Sequence, residues 1–202
     1  MDSTSFATAY ALSTSIGLRP FLTLALASLA MHFGYLHPAH AFAYLGTDTV
    51  TWVLAALAAA EFVADKVPVV DHGFHVLHFA TKPLAAALLV GSMVPDGGSI
   101  DAGTYALMAL GGLNALGVHG GVTAVRAAST TMTLGTANPF VSVLEDVAAV
   151  GGTVLAIALP WVAAVLAAFL TVAVVLVVRR LYLELRRRRT AGATALAVRL
   201  GA

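Results

Sequence analysis

Five ionisable side chains stand within or at the edges of long apolar runs of this sequence: Glu61, Asp65, Arg126, Glu145 and Asp146. An ionisable side chain in hydrocarbon is costly, and it is retained where it faces a protein-lined cavity, a partner or a transport path. These residues therefore predict a polar site inside an apolar protein, and they are the first candidates for binding an ion or a charged solute.

Glu61 and Asp65 are four residues apart on one predicted helix and so share a face. Two neighbouring carboxylates in a medium of low dielectric constant resist simultaneous ionisation, which makes the pair a candidate carrier of protons or cations. Two structural alternatives stay open. Lys66 or Arg126 neutralises the carboxylates in an ion pair, or Asp65 is simply solvated near the inner membrane surface.

Glu145 and Asp146 follow Ser142 by three and four residues, on the same side of a predicted helix. Arg126 is the basic residue nearest to them in the sequence, and we expect it to be their partner. At least one carboxylate is a candidate cation ligand, proton relay or counterion. The alternative is a buried brace that fixes the local helix geometry.

Asn138 and Pro139 form a strong helix start, because Asn caps exposed amides and Pro suits the first helical position. Pro20 begins another helix in the same way. Free N–H groups and a partial positive charge at a helix start favour an anion, and Arg19 would add a full charge. The alternative is that the prolines only shape packing and that Arg19 reaches a lipid headgroup.

Asp71, His75 and His78 recur at helical spacing and are weak candidates for a divalent-metal site, which Glu61 or Asp65 could complete. A solvated cluster near the membrane surface is the competing interpretation. His119 is a further candidate for gating. No motif of a hydrolase, a phosphate-binding loop or a metalloprotease is present, so we expect neither an enzyme nor a cofactor.

The composition indicates the elements that must position these residues. Hydrophobic residues make up 59% of the 202 residues and charged residues only 10%, whereas soluble domains carry about 25% charged residues. Because a spanning helix needs about 20 residues, we predict an all-α, polytopic membrane protein with six to eight helical segments. It forms a single transmembrane domain over residues 1–189, followed by a flexible C-terminal tail over residues 190–202.

Apolar segments cover residues 6–16, 21–33, 50–64, 76–94, 102–118, 122–134, 140–159 and 161–178. Glycine and proline breaks at residues 17–20 and 135–139 predict two broken or re-entrant helix pairs, which line a cavity or lie buried in protein. Residues 13–23 also resemble residues 129–142, which suggests an internal, inverted repeat. Chance similarity between apolar sequences is the alternative.

The basic residues place the segments relative to the membrane. Arg179, Arg180 and residues 186–189 form a basic C-terminus, which we expect on the cytoplasmic side together with Lys66. The loops around residues 35–49 and 95–101 lack Lys and Arg and are expected outside. Membrane lipids are the expected partners of the basic run, and nucleic acid is not expected.

Three motifs resemble those of a bacterial membrane family known as domain of unknown function 4126: Gly17 to Phe21, Glu61 to Asp71, and Asn138 to Asp146. The resemblance covers about Ser13 to Leu185 and implies a multi-pass protein of the bacterial cytoplasmic (inner) membrane. It implies no established activity. Lys82-Pro83 stands where such proteins often have Arg-Pro, which keeps the charge but loses bidentate anion binding.

Two classes of function follow from these features. The preferred one is a small transporter, channel or lipid-translocase-like protein that couples protons or cations to a small anion or lipid headgroup. The alternative is a membrane assembly or scaffold subunit whose buried charges are structural. The oligomeric state stays open, with a homo-oligomer among the alternatives. The predicted site residues, apart from the weak metal candidates, are Arg19, Glu61, Asp65, Arg126, Asn138, Ser142, Glu145 and Asp146.

Overall fold

The computed structural model describes residues 2–64, 68–95 and 100–200. Within these residues the chain is all helical, as predicted, with seven α-helices and a short 3-10 helix at His40–Gly46. The α-helices are α1 (Ser3–Leu18), α2 (Pro20–His32), α3 (Asp48–Ala64), α4 (Pro68–Ser92), α5 (Ala102–Thr133), α6 (Asn138–Ala158) and α7 (Pro160–Leu200). The last of these extends into the predicted tail.

Proline sets where most of these helices begin. Pro20, Pro68 and Pro160 are the first residues of α2, α4 and α7, and Pro139 follows the first residue of α6. A helix start suits proline because the amide that proline lacks would have no partner there. Pro83 differs, since it lies inside α4.

A single residue separates α1 from α2. Arg19 has an extended backbone, with φ −133° and ψ 97°. The ring of Pro20 disfavours helical geometry at the preceding residue, which explains why the interruption falls at this position.

The connection between α5 and α6 is a turn of four residues rather than a single extended one. Leu134 and Gly135 both have left-handed backbones, with φ of 53° and 85°. Gly135 adopts this conformation without steric cost because it has no side chain. Both predicted breaks are therefore present, but their geometries differ.

One predicted break is wrong. The segments predicted at residues 102–118 and 122–134 form one continuous helix, α5. A glycine inside a helix costs only about 1 kcal/mol relative to alanine, so Gly120 and Gly121 do not interrupt it. Gly121 instead allows the side chain of Val174 on α7 to pack directly against the backbone of α5.

Helix α1 is the centre of the fold. It packs against α2, α4, α5, α6 and α7, and its residues from Ala7 to Leu18 are buried except for Tyr10. Hydroxyl groups inside this helix bond to its own carbonyls, as Ser15 does to Ala11 O at 3.2 Å. A polar but buried central helix thus presents its last residues, at the break, to the interior of the protein.

Among the described residues, three helices are long and apolar enough to cross a membrane: α5, α6 and the part of α7 from Pro160 to Glu184. A fourth span is counted if the 3-10 helix and α3, bent by 61° at their junction, are taken as one. Helix α2 is apolar but shorter.

The close approach of α1 and α5 near the break depends on Gly17. A Cβ atom there would lie 2.5 Å from Val118 Cβ and 2.9 Å from the carbonyl oxygen of Ala115. We expect Gly17→Ala to lower the free energy of unfolding by about 1–3 kcal/mol, as overpacking does. Thermal unfolding of the detergent-purified protein measures this.

Gly120→Ala on α5 is the matched control. A Cβ at Gly120 meets nothing within 4 Å, so this change is expected to be neutral or slightly stabilising through helix propensity. Equal effects of the two substitutions would show that α1 and α5 do not pack as described.

Candidate functional site

Besides the bond to Ile16 O that Pro20 cannot donate, the break between α1 and α2 removes two backbone hydrogen bonds. In a continuous helix, Phe21 N–H would donate to Gly17 O and Leu22 N–H to Leu18 O. Buried backbone groups of this kind need other partners, because an unpaired buried polar group is costly. The bonds on either side of the gap are intact: Arg19 N donates to Ser15 O at 3.0 Å and Thr23 N to Arg19 O at 3.1 Å.

Lys82 on α4 takes the two carbonyl oxygens. Its Nζ donates to Gly17 O at 2.9 Å and to Leu18 O at 3.0 Å, and it lies 2.9 Å from Nδ1 of His119. The ammonium group has three donors and so has one for each of these partners. A positive charge at the carboxyl end of α1 also suits the helix dipole.

Glu61 on α3 takes the two amides. Its Oε2 accepts hydrogen bonds from Phe21 N and Leu22 N, both at 3.2 Å. Its Oε1 lies 3.3 Å from Nε2 of His78. A negative charge at the amino end of α2 suits the helix dipole there. The carboxylate therefore occupies the place where a helix start would bind an anion.

Arg19, the residue at the break, reaches across to α6. Its Nε lies 2.7 Å from Oδ1 of Asp146, and its Nη2 donates to Oγ of Ser142 at 2.8 Å. Ser142 and Asp146 are four residues apart and present one face of α6 to the guanidinium. Arg19 is 3% exposed, so the protein interior holds it rather than a lipid headgroup.

Arg126 on α5 and Glu145 on α6 form a bidentate ion pair. Nε and Nη2 of Arg126 each donate to one carboxylate oxygen of Glu145, both at 2.8 Å. Such paired bonds fix the orientation of both groups as well as adding energy. The pair joins the two helices on either side of the second break.

We call these six ionisable residues the charge cluster: Arg19, Glu61, Lys82, Arg126, Glu145 and Asp146. Four of them are buried, namely Arg19, Glu61, Lys82 and Glu145. Lys82 interacts electrostatically with four of the other five members, namely Arg19, Glu61, Arg126 and Glu145. Three basic and three acidic side chains leave the cluster formally neutral when all are ionised.

A cavity of about 300 Å³ adjoins the charge cluster. Its charged lining consists of Arg19, Glu61 and Asp146, and the rest of its lining is apolar, formed by Leu22, Ala58, Ala59, Phe62 and Val63. The carboxylate that holds the start of α2 therefore borders a space large enough for a small solute.

Asn138 does not have the predicted role. The residue before it, Ala137, is the cap of α6, and no side-chain hydrogen bond caps that helix. The amide of Asn138 donates instead to Oγ1 of Thr130 at 2.9 Å, near the end of α5. The contacts of Arg19 with α6 lie one to two turns further along the helix, at Ser142 and Asp146.

The remaining predicted site residues are only partly described. Asp65 lies outside the described residues, as do the side chains of Asp71 and His75. His78 faces Glu61. Among the described residues, no group of three or more histidines and carboxylates is placed to hold a metal ion. The metal site thus stays a prediction.

The sequence interpretation noted the charge of Lys82 but did not include Lys82 among the site residues, and it gave His119 only a minor place. Both are nearly fully buried, and Lys82 is 64 residues from Leu18 along the chain. The available signal was a lysine inside the apolar segment 76–94, directly before Pro83. A buried lysine needs several acceptors, and backbone carbonyls at a helix break supply them.

Breaking the bidentate pair tests how the charge cluster supports the fold. We expect Arg126→Met or Glu145→Leu alone to lower the free energy of unfolding by about 3 kcal/mol, because each leaves a charge unpaired in a largely buried place. Thermal unfolding in detergent measures both variants and their combination.

The double variant is the control. It removes both charges, and we expect it to recover most of the lost stability. Additive losses in the double variant would contradict a direct pairing of Arg126 with Glu145.

Comparison with known proteins identifies the family of the chain but gives no activity. No curated protein and no solved structure matches the chain. The family model described as Domain of unknown function (DUF4126) matches residues 6–180, a range that includes every member of the charge cluster and both helix breaks. The chain therefore belongs to the DUF4126 family.

Proposed function

We propose that the chain is a multi-pass membrane protein of the bacterial cytoplasmic membrane. The distribution of side chains supports this. Large apolar side chains are exposed on α3, α5, α6 and α7, for example Trp52, Leu110, Phe140 and Phe169, whereas Arg19, Glu61, Lys82 and Glu145 are buried. Exposed apolar surface of this extent suits contact with lipid, and the basic C-terminus suits the cytoplasmic side.

We further propose that the protein transports a small anion in exchange for, or together with, protons. The observation that carries this proposal is the position of the Glu61 carboxylate. It binds the free amides of α2, it lies beside the cavity, and Arg19 shares the cavity wall. A negative group of the protein thus occupies a place with the chemistry of an anion site.

Protonation of Glu61 is the step that links the two ions. A proton on the carboxylate removes its charge and weakens its hold on the amides of Phe21 and Leu22. A small anion in the cavity then replaces it and gains both amides together with the charge of Arg19. His78, 3.3 Å from Oε1 of Glu61, is placed to exchange a proton with this carboxylate.

The other members of the charge cluster serve this step by holding the helices around the break between α1 and α2 in position. Lys82 holds the end of α1, and the pairs of Arg19 with Asp146 and of Arg126 with Glu145 hold α6 beside it. In this proposal a solute binds only when Glu61 releases the amides of Phe21 and Leu22. The other five members of the cluster keep their contacts within the protein.

A second candidate function is an assembly or scaffold subunit. One specific observation favours it: each member of the charge cluster already contacts oppositely charged or hydrogen-bonding groups of the protein. Such a network needs no solute. In that case the charges hold the helices together, and the protein acts by binding partners through its surface.

Flux measurements separate the two candidates. The protein is reconstituted in vesicles that contain a pH-sensitive dye, and chloride, nitrate, acetate or phosphate is added outside. We expect at least one anion to move protons across the membrane at a rate well above that of empty vesicles. Glu61→Gln keeps an acceptor for the amides but cannot titrate, and we expect it to reduce this coupled proton movement at least tenfold.

Glu184→Gln is the control, because Glu184 is an exposed carboxylate on α7 outside the charge cluster. It should match the unmodified protein. No proton movement with any of the four anions would reject transport of this class in favour of the scaffold. Normal flux in Glu61→Gln would retain transport but remove Glu61 from the coupling.

A further inference from the structure

Another cavity lies between α5 and α7. Its volume is about 500 Å³, and we call it the α5–α7 groove. Most of its lining surface is apolar. The lining includes Leu113 on α5 and Val174, Val175 and Val178 on α7, together with the polar residues Asn114 and Thr171. Arg179 and Tyr182, which carry a guanidinium and a hydroxyl group, are the last residues of α7 that line the groove. None of the residues of the charge cluster lines it.

Gly117 on α5 keeps this groove open. It belongs to the lining, and a Cβ atom added there would meet nothing within 4 Å. Gly121, one turn later, has the opposite environment, since the side chain of Val174 packs directly against it. The two helices therefore touch at Gly121 and leave space at Gly117.

In the membrane placement proposed above, Arg179 would lie near the depth of the lipid phosphates. The apolar segment of α7 runs from Trp161 to Val178, and Arg179 and Arg180 follow at once. At 1.5 Å per residue this segment is about 27 Å long, close to the hydrocarbon thickness of about 30 Å. In a membrane the groove would extend from the headgroup layer into the apolar region.

We propose that the α5–α7 groove binds an anionic phospholipid. The acyl chain lies along Leu113, Gly117 and Val174, and the phosphate binds Arg179 with the Tyr182 hydroxyl as a further donor. Apolar lining with a basic end matches an acyl chain with an anionic headgroup, and arginine binds phosphate with paired hydrogen bonds. This inference depends on the membrane placement proposed above but not on transport.

The test compares lipids that share their acyl chains. Binding of phosphatidylglycerol and of phosphatidylcholine to the detergent-purified full chain is measured by native mass spectrometry and by thermal stabilisation. We expect phosphatidylglycerol to bind more tightly. Arg179→Gln should reduce that preference about fivefold, the equivalent of roughly 1 kcal/mol for one basic residue at the membrane surface.

Gly117→Phe fills the groove without touching the charge cluster, and we expect it to weaken phosphatidylglycerol binding at least tenfold. Gly120→Phe on the same helix is the matched control, because a side chain there also enters open space but Gly120 does not line the groove. It should bind lipid as the unmodified protein does. Both variants should melt at similar temperatures without added lipid.

Several outcomes would overturn the proposal. Equal binding of the two lipids, or unchanged binding by folded Gly117→Phe, would reject a lipid site in the groove. Equal stabilisation by glycerol 1-phosphate would show that only the headgroup binds. A dimer that Gly117→Phe converts to a monomer, without a lipid effect, would assign the groove to a second copy of the chain. Failure of anion flux in the reconstituted vesicles would leave this proposal untouched.

Discussion

The structure depends on how the protein pairs four backbone groups at the interruption between α1 and α2. Pro20 disfavours helical geometry at Arg19, so the carbonyls of Gly17 and Leu18 and the amides of Phe21 and Leu22 lose each other as helical partners. A lysine from α4 binds the carbonyls and a glutamate from α3 binds the amides. Each charge lies at the helix end whose dipole it complements, so pairing and electrostatics favour the same arrangement.

This pairing connects most of the helices. Lys82 on α4 binds the end of α1, and Glu61 on α3 binds the start of α2. Both α3 and α4 therefore contact the same interruption of the backbone. Arg19 extends the connection to α6 through Asp146, and Arg126 joins α6 to α5 through Glu145. The charges are therefore part of the framework of the fold. That role also explains how charged groups persist inside an apolar protein, because each member of the cluster contacts other groups of the protein.

Sequence reasoning predicted much of the framework but little of the pairing. The helix starts predicted at Pro20 and Pro139 follow from the chemistry of proline, and the pairing of Arg126 with Glu145 was expected from their closeness in the sequence. The continuity of α5 through Gly120 and Gly121 was mispredicted, because glycine weakens a helix but keeps its amide. The pairing of Lys82 with Gly17 and Leu18 depends on the packing of α4 against α1, and no local pattern reports that packing. Asn138 was misjudged for a similar reason, since the turn at Leu134 directs its side chain towards Thr130.

Amide hydrogen exchange in the purified protein directly measures the pairing at the break between α1 and α2. We expect the amides of Phe21 and Leu22 to be protected, and Glu61→Ala to make these two exchange much faster. The amides of Arg19 and Thr23, which donate to backbone carbonyls, should stay protected in the same variant. Rapid exchange of Phe21 and Leu22 in the unmodified protein, or no change in Glu61→Ala, would contradict the pairing on which the structure and the proposed function depend.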